Sequence, residues 1–314
     1  MSSREAAALD KACDWVLRRL KLFDPGSEAG DFTIPRAQQF SELLLTAYCL
    51  SRNGPRYGDV VHRIVDWCES KTFNDTYRRR LRSNPDEFVL YSDVHAILAY
   101  FGRADAETSA YLQALIDAGA LGAFEKVAHR WLDLRLSMSW SGLDHDLPSY
   151  PELVAQSIAS FRRPIAPFIL FPTSEGAYAF THVLMFIHGF GTSREMLVDP
   201  EVATQWASAL RQLMVVSARD RHWDLLAESI LCHDCIESAP SGLAEEGLAL
   251  LLERQGANGN FLGPEGTLGA SLDQAANPSF MSYEEAEFRF TYHTTLVAIM
   301  LLVHRLGRRG GALR

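Results

Sequence analysis

The sequence predicts an all-α protein, folded as an (α/α) toroid-like barrel or as a curved array of about six helical hairpins. Apolar residues recur at i, i+3 and i+4 along most of the 314 residues. No run of alternating apolar and polar residues between turn residues indicates a β-strand. One short pattern also recurs at a spacing of about 50 residues, the length of one helical hairpin with its loops.

The recurring pattern is the start of an apolar helical segment that carries one acidic or imidazole side chain. It occurs at Glu42, Asp93, His182, Glu228 and His293, with Asp133 as a further member in the widest gap. Equivalent positions of stacked repeats lie at equal depth, so closure of a ring would bring these side chains to one mouth. Burying an isolated charge is energetically unfavourable, so such side chains need polar partners or a water-filled cavity.

Six outer–inner pairs of helices are expected in chain order: 4–21 with 36–52, 57–70 with 89–102, 106–118 with 121–138, 149–162 with 174–190, 195–217 with 221–237, and 241–254 with 284–307. Glycine, proline or asparagine occupies many of the breaks between them. Residues 1–314 are predicted to form one domain, with loop-rich breaks near 141–150 and 256–283. The second break is long enough for a lid over a cavity. The C-terminal tail from Gly307 is expected to fray.

Composition excludes several classes of protein. With 47% hydrophobic residues the chain can bury a large core, and a net charge of −9 argues against a nucleic-acid partner. The N-terminus lacks the apolar segment of a signal peptide, and no apolar stretch is long enough to span a membrane. Five cysteines, mostly in apolar helical patterns, are typical of reduced thiols. We therefore expect a cytoplasmic protein with a small-molecule substrate, and a protein partner or a homodimer is possible.

One part of the chain resembles a known architecture. Gln255–Gly263, followed by Tyr292–Leu296, is similar to a repeat of the (α/α)-barrel enzymes, namely terpene cyclases, prenyltransferase β-subunits and lanthionine cyclases. The resemblance implies an architecture and no particular chemistry. The aspartate-rich motifs of the cyclases are absent. The chain also resembles bacterial proteins encoded in natural-product gene clusters, which implies a role in specialised metabolism.

A metal site is the alternative interpretation of a second motif. Cys232-His233 matches the adjacent zinc ligands of lanthionine cyclases, but Asp234 stands where that family has glycine. Cys232 and Cys235 are spaced i, i+3, so both thiols and His233 could bind zinc if the remaining ligands came from other helices. Helical cysteines in an apolar run are more often core residues. We therefore expect no metal and no other cofactor.

The first functional hypothesis is an enzyme that performs cofactor-independent acid–base chemistry, such as cyclisation, elimination or isomerisation, on a small metabolite. His182 and His293 are the candidate bases or acids, because a neutral histidine is a good general base. Glu42, Asp93 and Glu228 would orient them, bind a substrate amine or act as a secondary acid. The candidate substrate-binding residues are Arg36, Asp133, Tyr178, Phe186, His233 and Tyr292.

The second hypothesis is a binding module, because helical repeats often present a surface to another protein or enclose an apolar ligand. An enclosed pocket behind the polar positions would favour the enzyme, and an open groove would favour the binding module.

Overall fold

The structure, a computed structural model, describes residues 3–26, 34–53, 55–72, 75–83, 87–122, 128–160, 174–193, 198–237, 239–264 and 282–310. These residues form thirteen α-helices and three short 3-10 turns, and contain no strand beyond one isolated bridge between Gln255 and Phe261. The prediction of an all-α fold is confirmed. Most of the expected lid, from residue 265 to 281, lies outside the described residues.

In chain order the helices are α1 (Ser3–Arg18), α2 (Ile34–Asn53), α3 (Gly58–Thr72), α4 (Asp75–Ser83), α5 (Phe88–Tyr100), α6 (Ala106–Asp117), α7 (Ala128–Ser141), α8 (Tyr150–Ser160), α9 (Ser174–Ile187), α10 (Pro200–Arg219), α11 (Trp223–Ile236), α12 (Gly242–Glu253) and α13 (Tyr283–Gly310). Each of the twelve predicted helices overlaps one of these. The short helix α4 was not predicted, because its arginine-rich sequence has only Tyr77 and Leu81 to bury.

Two predictions about helix ends were wrong. His182, His293 and Glu42 do not lie at helix starts, because α9, α13 and α2 begin at Ser174, Tyr283 and Ile34, about two turns or more earlier. The tail also does not fray at Gly307, since α13 continues to Gly310. Arg308 donates to the backbone oxygens of Asp234 and Glu237, and Arg309 pairs with Glu5 at 2.7 Å, so these contacts hold the last turns of the helix.

The helices pack as two compact units, one within residues 1–22, 49–56 and 161–314, and the other within 23–48 and 57–160. In the first unit, α11 packs against α9, α10, α12 and α13, and α1 packs against α13. In the second unit, α5 packs against α6 and α7, α7 against α8, and α3 against α4. The prediction of a single domain stays a prediction.

Helix α11 is the centre of the first unit. Every residue from Trp223 to Asp234 is buried, which is the expected state of an inner helix enclosed on all sides. Its polar residues in this stretch therefore contact other helices instead of bulk water. The prediction of an apolar helix over this segment is confirmed, and its place in an inner ring stays a prediction.

Three helices of the first unit run in the same direction. Tyr178 of α9 contacts Asp224 of α11, and four residues later in both helices His182 contacts Glu228. Two contacts at the same offset of 46 positions mean that α9 and α11 are parallel. Helix α13 runs the same way, because Glu228 contacts His293 and the later Asp234 contacts the later Arg305.

The segment that resembles a barrel repeat is a structural turn. The Gln255 side chain donates to the backbone oxygen of Ala8 at 2.8 Å, and the Phe261 N–H donates to Thr295 Oγ1 at 2.8 Å, so the turn ties α1 to α13. Only glycine fits at position 259, because its φ is +103° and a Cβ atom there would lie 2.2 Å from the Lys11 carbonyl oxygen.

In the second unit, aromatic side chains fill the space between helices, as in the edge-to-face contact of Tyr77 with Tyr91 at 5.0 Å between ring centroids. A cavity of about 10 Å³ lies beside them, lined in part by Phe40 and Val94. This volume is close to that of one water molecule, so the cavity does not hold a metabolite. Among the described residues, no helix is long and apolar enough to cross a bilayer.

Candidate functional site

Glu228 lies between two histidines in the first unit. Its Oε1 atom is 3.5 Å from Nε2 of His293 and 3.8 Å from Nε2 of His182. Its Oε2 atom accepts a hydrogen bond of 2.5 Å from Thr181 Oγ1. The three residues His182, Glu228 and His293, here called the histidine–glutamate cluster, come from α9, α11 and α13. The sequence prediction placed one marker residue in each of these three repeats.

The carboxylate of this cluster is ionised. Burial alone would raise the pKa of Glu228, but the imidazoles of His182 and His293 lower it from 4.5 to about 2. The distances to the two imidazole nitrogens are ion-pair distances and exceed that of a normal hydrogen bond. A negative carboxylate favours the N–H of each ring on the nitrogen that faces it. In a neutral His182 ring, that arrangement leaves Nδ1 as the basic atom.

The carboxylate and the histidines differ in their access to solvent. The Glu228 side chain is 0% exposed, whereas the His182 and His293 side chains are 27% and 33% exposed. A molecule in solution can therefore reach the imidazoles and not the carboxylate. Glu228 can orient the rings and balance a positive charge on them.

A second set of contacts lies one helical turn before the cluster on α9 and α11. The Tyr178 hydroxyl donates to Asp224 Oδ2, and His222 Nδ1 lies 2.7 Å from Asp224 Oδ1. Tyr178, Asp224 and His222 thus form a second hydrogen-bonded group. Burial alone would raise the pKa of Asp224, but the contacts with His222 and Tyr178 lower it. The hydrogen bond to Asp224 raises the pKa of His222.

Aromatic rings surround the histidines. The His182 ring lies 6.0 Å from the Tyr178 ring and 5.9 Å from the Phe186 ring, between centroids. The Tyr292 ring stacks on Phe288 and contacts the His293 ring edge-to-face at 6.1 Å. Tyr178, Phe186 and Tyr292 were predicted to bind substrate. Tyr178 and Phe186 lie against His182, and Tyr292 lies against His293.

A separate polar layer lies nearer the C-terminal ends of the same helices. Arg305 Nε is 2.6 Å from Asp234 Oδ2, and Arg305 Nη1 is 3.0 Å from Glu245 Oε1. His233, predicted to bind substrate, is fully buried here, with Nδ1 3.7 Å from Asp234 Oδ1. Burial alone would raise the pKa of Asp234, but His233 and Arg305 lower it. These contacts join α11, α12 and α13.

The end of α9 contributes to the same layer. Gly189, Phe190 and Gly191 all have positive φ, which is typical of a helix C-terminus. His304 Nδ1 lies 2.8 Å from the Gly191 backbone oxygen. Burial, together with His304, lowers the pKa of His188 to about 4.

The cysteines of the predicted alternative metal site point to different neighbours. The Cys232 thiol donates to the Thr181 backbone oxygen at 3.3 Å, and burial raises the pKa of the Cys235 thiol to about 12. Within the part of the chain that the structure describes, no three histidine, cysteine or acidic side chains are grouped so that they could hold a metal ion. Cys232 is buried, as the core interpretation of the motif predicts, whereas Cys235 is half-buried.

The remaining predicted site residues belong to the second unit. Glu42 accepts a hydrogen bond of 2.8 Å from Gln38, and Asp133 lies 3.5 Å from Arg130. Asp93 is half-buried on α5, where its charge contributes to the raised pKa of Tyr77 after burial and Tyr91. Arg36 is half-buried near the start of α2. The expectation that Glu42 and Asp93 join the other marker residues in one cavity stays a prediction.

Sequence reasoning missed three residues of the site: Thr181, His222 and Asp224. One usable signal was present, because Asp224 and Glu228 are spaced i, i+4 on α11 and Tyr178 and His182 are spaced i, i+4 on α9. Matching polar pairs on two apolar helices indicate that their polar faces meet. A pattern with one acidic or imidazole residue per repeat includes Glu228 and His182 but leaves out Asp224 and Tyr178.

The fold and the site define an all-helical protein with a buried carboxylate shared by two partly exposed histidines. The chain belongs to the family described as Domain of unknown function (DUF6895), which matches residues 9–303. The match includes every predicted site residue, from Arg36 to His293. No curated protein and no solved structure matches the chain.

Proposed function

We propose that this protein is an enzyme that performs acid–base chemistry on a small metabolite, with the histidine–glutamate cluster as its active site. The observation that carries the proposal is the sharing of Glu228 Oε1 by two histidines from different helices. A carboxylate that faces a histidine N–H fixes its tautomer and stabilises its cation, which is what a general base requires.

A purely structural role for the cluster is the main alternative. Buried structural carboxylates are usually satisfied by short hydrogen bonds within the core. Glu228 has one such bond, from Thr181, while its other oxygen faces two imidazoles that are 27% and 33% exposed. This arrangement favours a site that acts on a molecule from solution.

The chemistry of the proposed site follows from its groups. His182 and His293 can each take up or release a proton, and Glu228 stabilises the resulting imidazolium. Proton removal and return of this kind support elimination, isomerisation or cyclisation of a substrate. The aromatic rings of Tyr178, Phe186 and Tyr292 would supply the apolar walls that small-molecule sites need.

We also propose that the inner helices close into an (α/α) toroid. The parallel course of α9, α11 and α13 supports this, since the inner helices of such a barrel all run the same way. Glu42 and Asp93 would then complete the mouth as orienting or amine-binding groups. The protein is proposed to work in the cytoplasm of a bacterium, in specialised metabolism, as a monomer or with a protein partner or second copy.

The proposal is tested with 5-nitrobenzisoxazole, a probe that opens when a base removes its C3 proton. We expect wild-type protein to accelerate the reaction at least about 100-fold over buffer, which is the usual range for a positioned base. His182→Gln and His293→Gln should each remove most of this rate while the melting temperature changes by only a few degrees.

His62→Gln is the matched control, because His62 is an exposed histidine on α3. Its rate should equal that of the wild type. A wild-type rate no higher than that of His182→Gln would refute the proposal, and the binding-module hypothesis would then take its place.

A further inference from the structure

His222 is held in a defined orientation by a buried acid. Its Nδ1 atom lies 2.7 Å from Asp224 Oδ1, and the Asp224 side chain is only 7% exposed. The Tyr178 hydroxyl binds the other oxygen of Asp224. Because the carboxylate accepts, the ring carries its proton on Nδ1. This leaves Nε2, on a side chain that is 27% exposed, to meet a ligand.

The backbone of His222 closes the turn before α11, because its N–H donates to the Ser217 oxygen at 2.8 Å and its oxygen accepts from the Leu226 N–H at 3.0 Å. His222 is the N-cap residue of α11, but its side chain makes no capping hydrogen bond. The preceding residue, Arg221, has φ of +54°, a left-handed conformation that is unfavourable for a residue with a Cβ atom. The imidazole faces Asp224 instead of capping the helix.

Tyr178 connects this histidine to the histidine–glutamate cluster. The centroid of its ring lies 5.9 Å from the His222 ring and 6.0 Å from the His182 ring. The two imidazoles therefore flank one tyrosine at the same end of α9 and α11. Their carboxylates contact opposite ring nitrogens, Nδ1 in His222 and Nε2 in His182, so the free nitrogens differ as well.

We propose that His222 is a further catalytic residue of this site, the proton donor that works with the base of the histidine–glutamate cluster, and that Asp224 and Tyr178 are its positioning residues. The inference rests on the proposed function. It narrows the substrate to a compound that loses a C–H proton while an oxygen atom of the same molecule gains one, as in the elimination of a hydroxyl group or the enolisation of a carbonyl.

The negative charges around His222 suit a proton donor. Asp224 contacts the ring directly, and Glu228 and Asp220 also contribute to raising the pKa of His222, so these carboxylates favour its cation. Asp220 is shared with Arg219, at 2.7 and 2.9 Å, and contributes least. The principal partner is therefore Asp224, and Asp224→Asn is the informative change.

The test compares 5-nitrobenzisoxazole with unsubstituted benzisoxazole. In both, the base takes the C3 proton, the C–H electron pair forms the nitrile, and the N–O bond breaks to release a phenolate. The nitrophenolate is stable without a proton, whereas the unsubstituted phenolate is more basic and benefits from a donor. His222→Gln should therefore slow the unsubstituted compound about 10-fold more than the nitro compound, and Asp224→Asn should change the ratio in the same direction.

Equal slowing of both compounds by His222→Gln, or no slowing, overturns the inference while the proposed function stands, provided that His182→Gln still abolishes both reactions. If the wild type accelerates neither compound, the proposed function fails and the inference falls with it. A readout that needs no activity is the ¹⁵N NMR titration of the histidine rings. The His222 signal should titrate at lower pH in Asp224→Asn, and an unchanged titration also overturns the inference.

Discussion

Glu228→Gln removes one negative charge from the most buried part of the candidate site and changes little else. Glutamine has nearly the same shape as glutamate, and its amide can still accept from Thr181, which bonds the carboxylate at 2.5 Å. The charge-dependent contacts with His182 and His293, at 3.8 and 3.5 Å, are lost. The variant therefore measures the value of the ionised carboxylate to the folded protein.

The magnitude follows from the pKa of Glu228, which falls from 4.5 to about 2. A difference of this size between the unfolded and folded states corresponds to about 3 kcal/mol of stability. Because the folded pKa is the lower one, this contribution is fully present above about pH 4.5 and is lost as pH falls toward about 2. Glu228→Gln should thus be less stable than wild type by about 3 kcal/mol at neutral pH, and the difference should shrink in acid.

Urea unfolding followed by circular dichroism at pH 7 and at pH 3 gives the two free energies of unfolding. Glu246→Gln is the matched control, because it makes the same change at an exposed position of α12 and should leave stability nearly unchanged. A Glu228→Gln protein as stable as the wild type at pH 7 would show that burial of the charge costs as much as the histidines return. The electrostatic reasoning about the site would then be wrong.

Three further outcomes are expected. His188→Phe should reduce the acid-induced loss of stability between about pH 6.5 and 4, because the depressed pKa of His188 means that protonation opposes folding. A variant whose free energy of unfolding falls with pH as steeply as that of the wild type would contradict this. Arg305→Met should lower the free energy of unfolding in urea by about 3–5 kcal/mol, since it leaves Asp234 buried without the partner at 2.6 Å. The double variant Arg305→Met/Asp234→Asn should recover part of this stability, and no recovery would argue against the ion pair. Elemental analysis should find well under one zinc per chain, and one zinc that is lost on Cys232→Ala would reverse that expectation.

Much of the fold could be predicted from the sequence because a helix in a layered α-protein needs an apolar face with a 3.6-residue period. The repeat spacing also predicted the meeting of His182, Glu228 and His293, since equivalent residues of parallel neighbouring helices lie at similar depth. This prediction needed no knowledge of side-chain contacts. It depended on α9, α11 and α13 running in one direction, which the structure shows.

The remaining site residues were harder to predict for physical reasons. His222 lies in the turn before α11, where Arg221 adopts a left-handed conformation that no sequence pattern at that position indicates. Arg305 belongs to an arginine-rich tail that resembles a solvated helix end, yet its side chain is only 2% exposed. The partner that makes its burial possible, Asp234, is 71 residues away in the sequence.

The buried polar groups of the first unit also determine how its helices align. Apolar helices can slide along one another at little cost, since one leucine contact resembles the next. Two layers of charge prevent this here. A shift of α13 relative to α11 by one turn would separate Glu228 from His293 and Asp234 from Arg305 together, which takes one charged partner from each of two buried carboxylates. Buried charges with partners on neighbouring helices can therefore specify one register, and with it the geometry that the proposed chemistry requires.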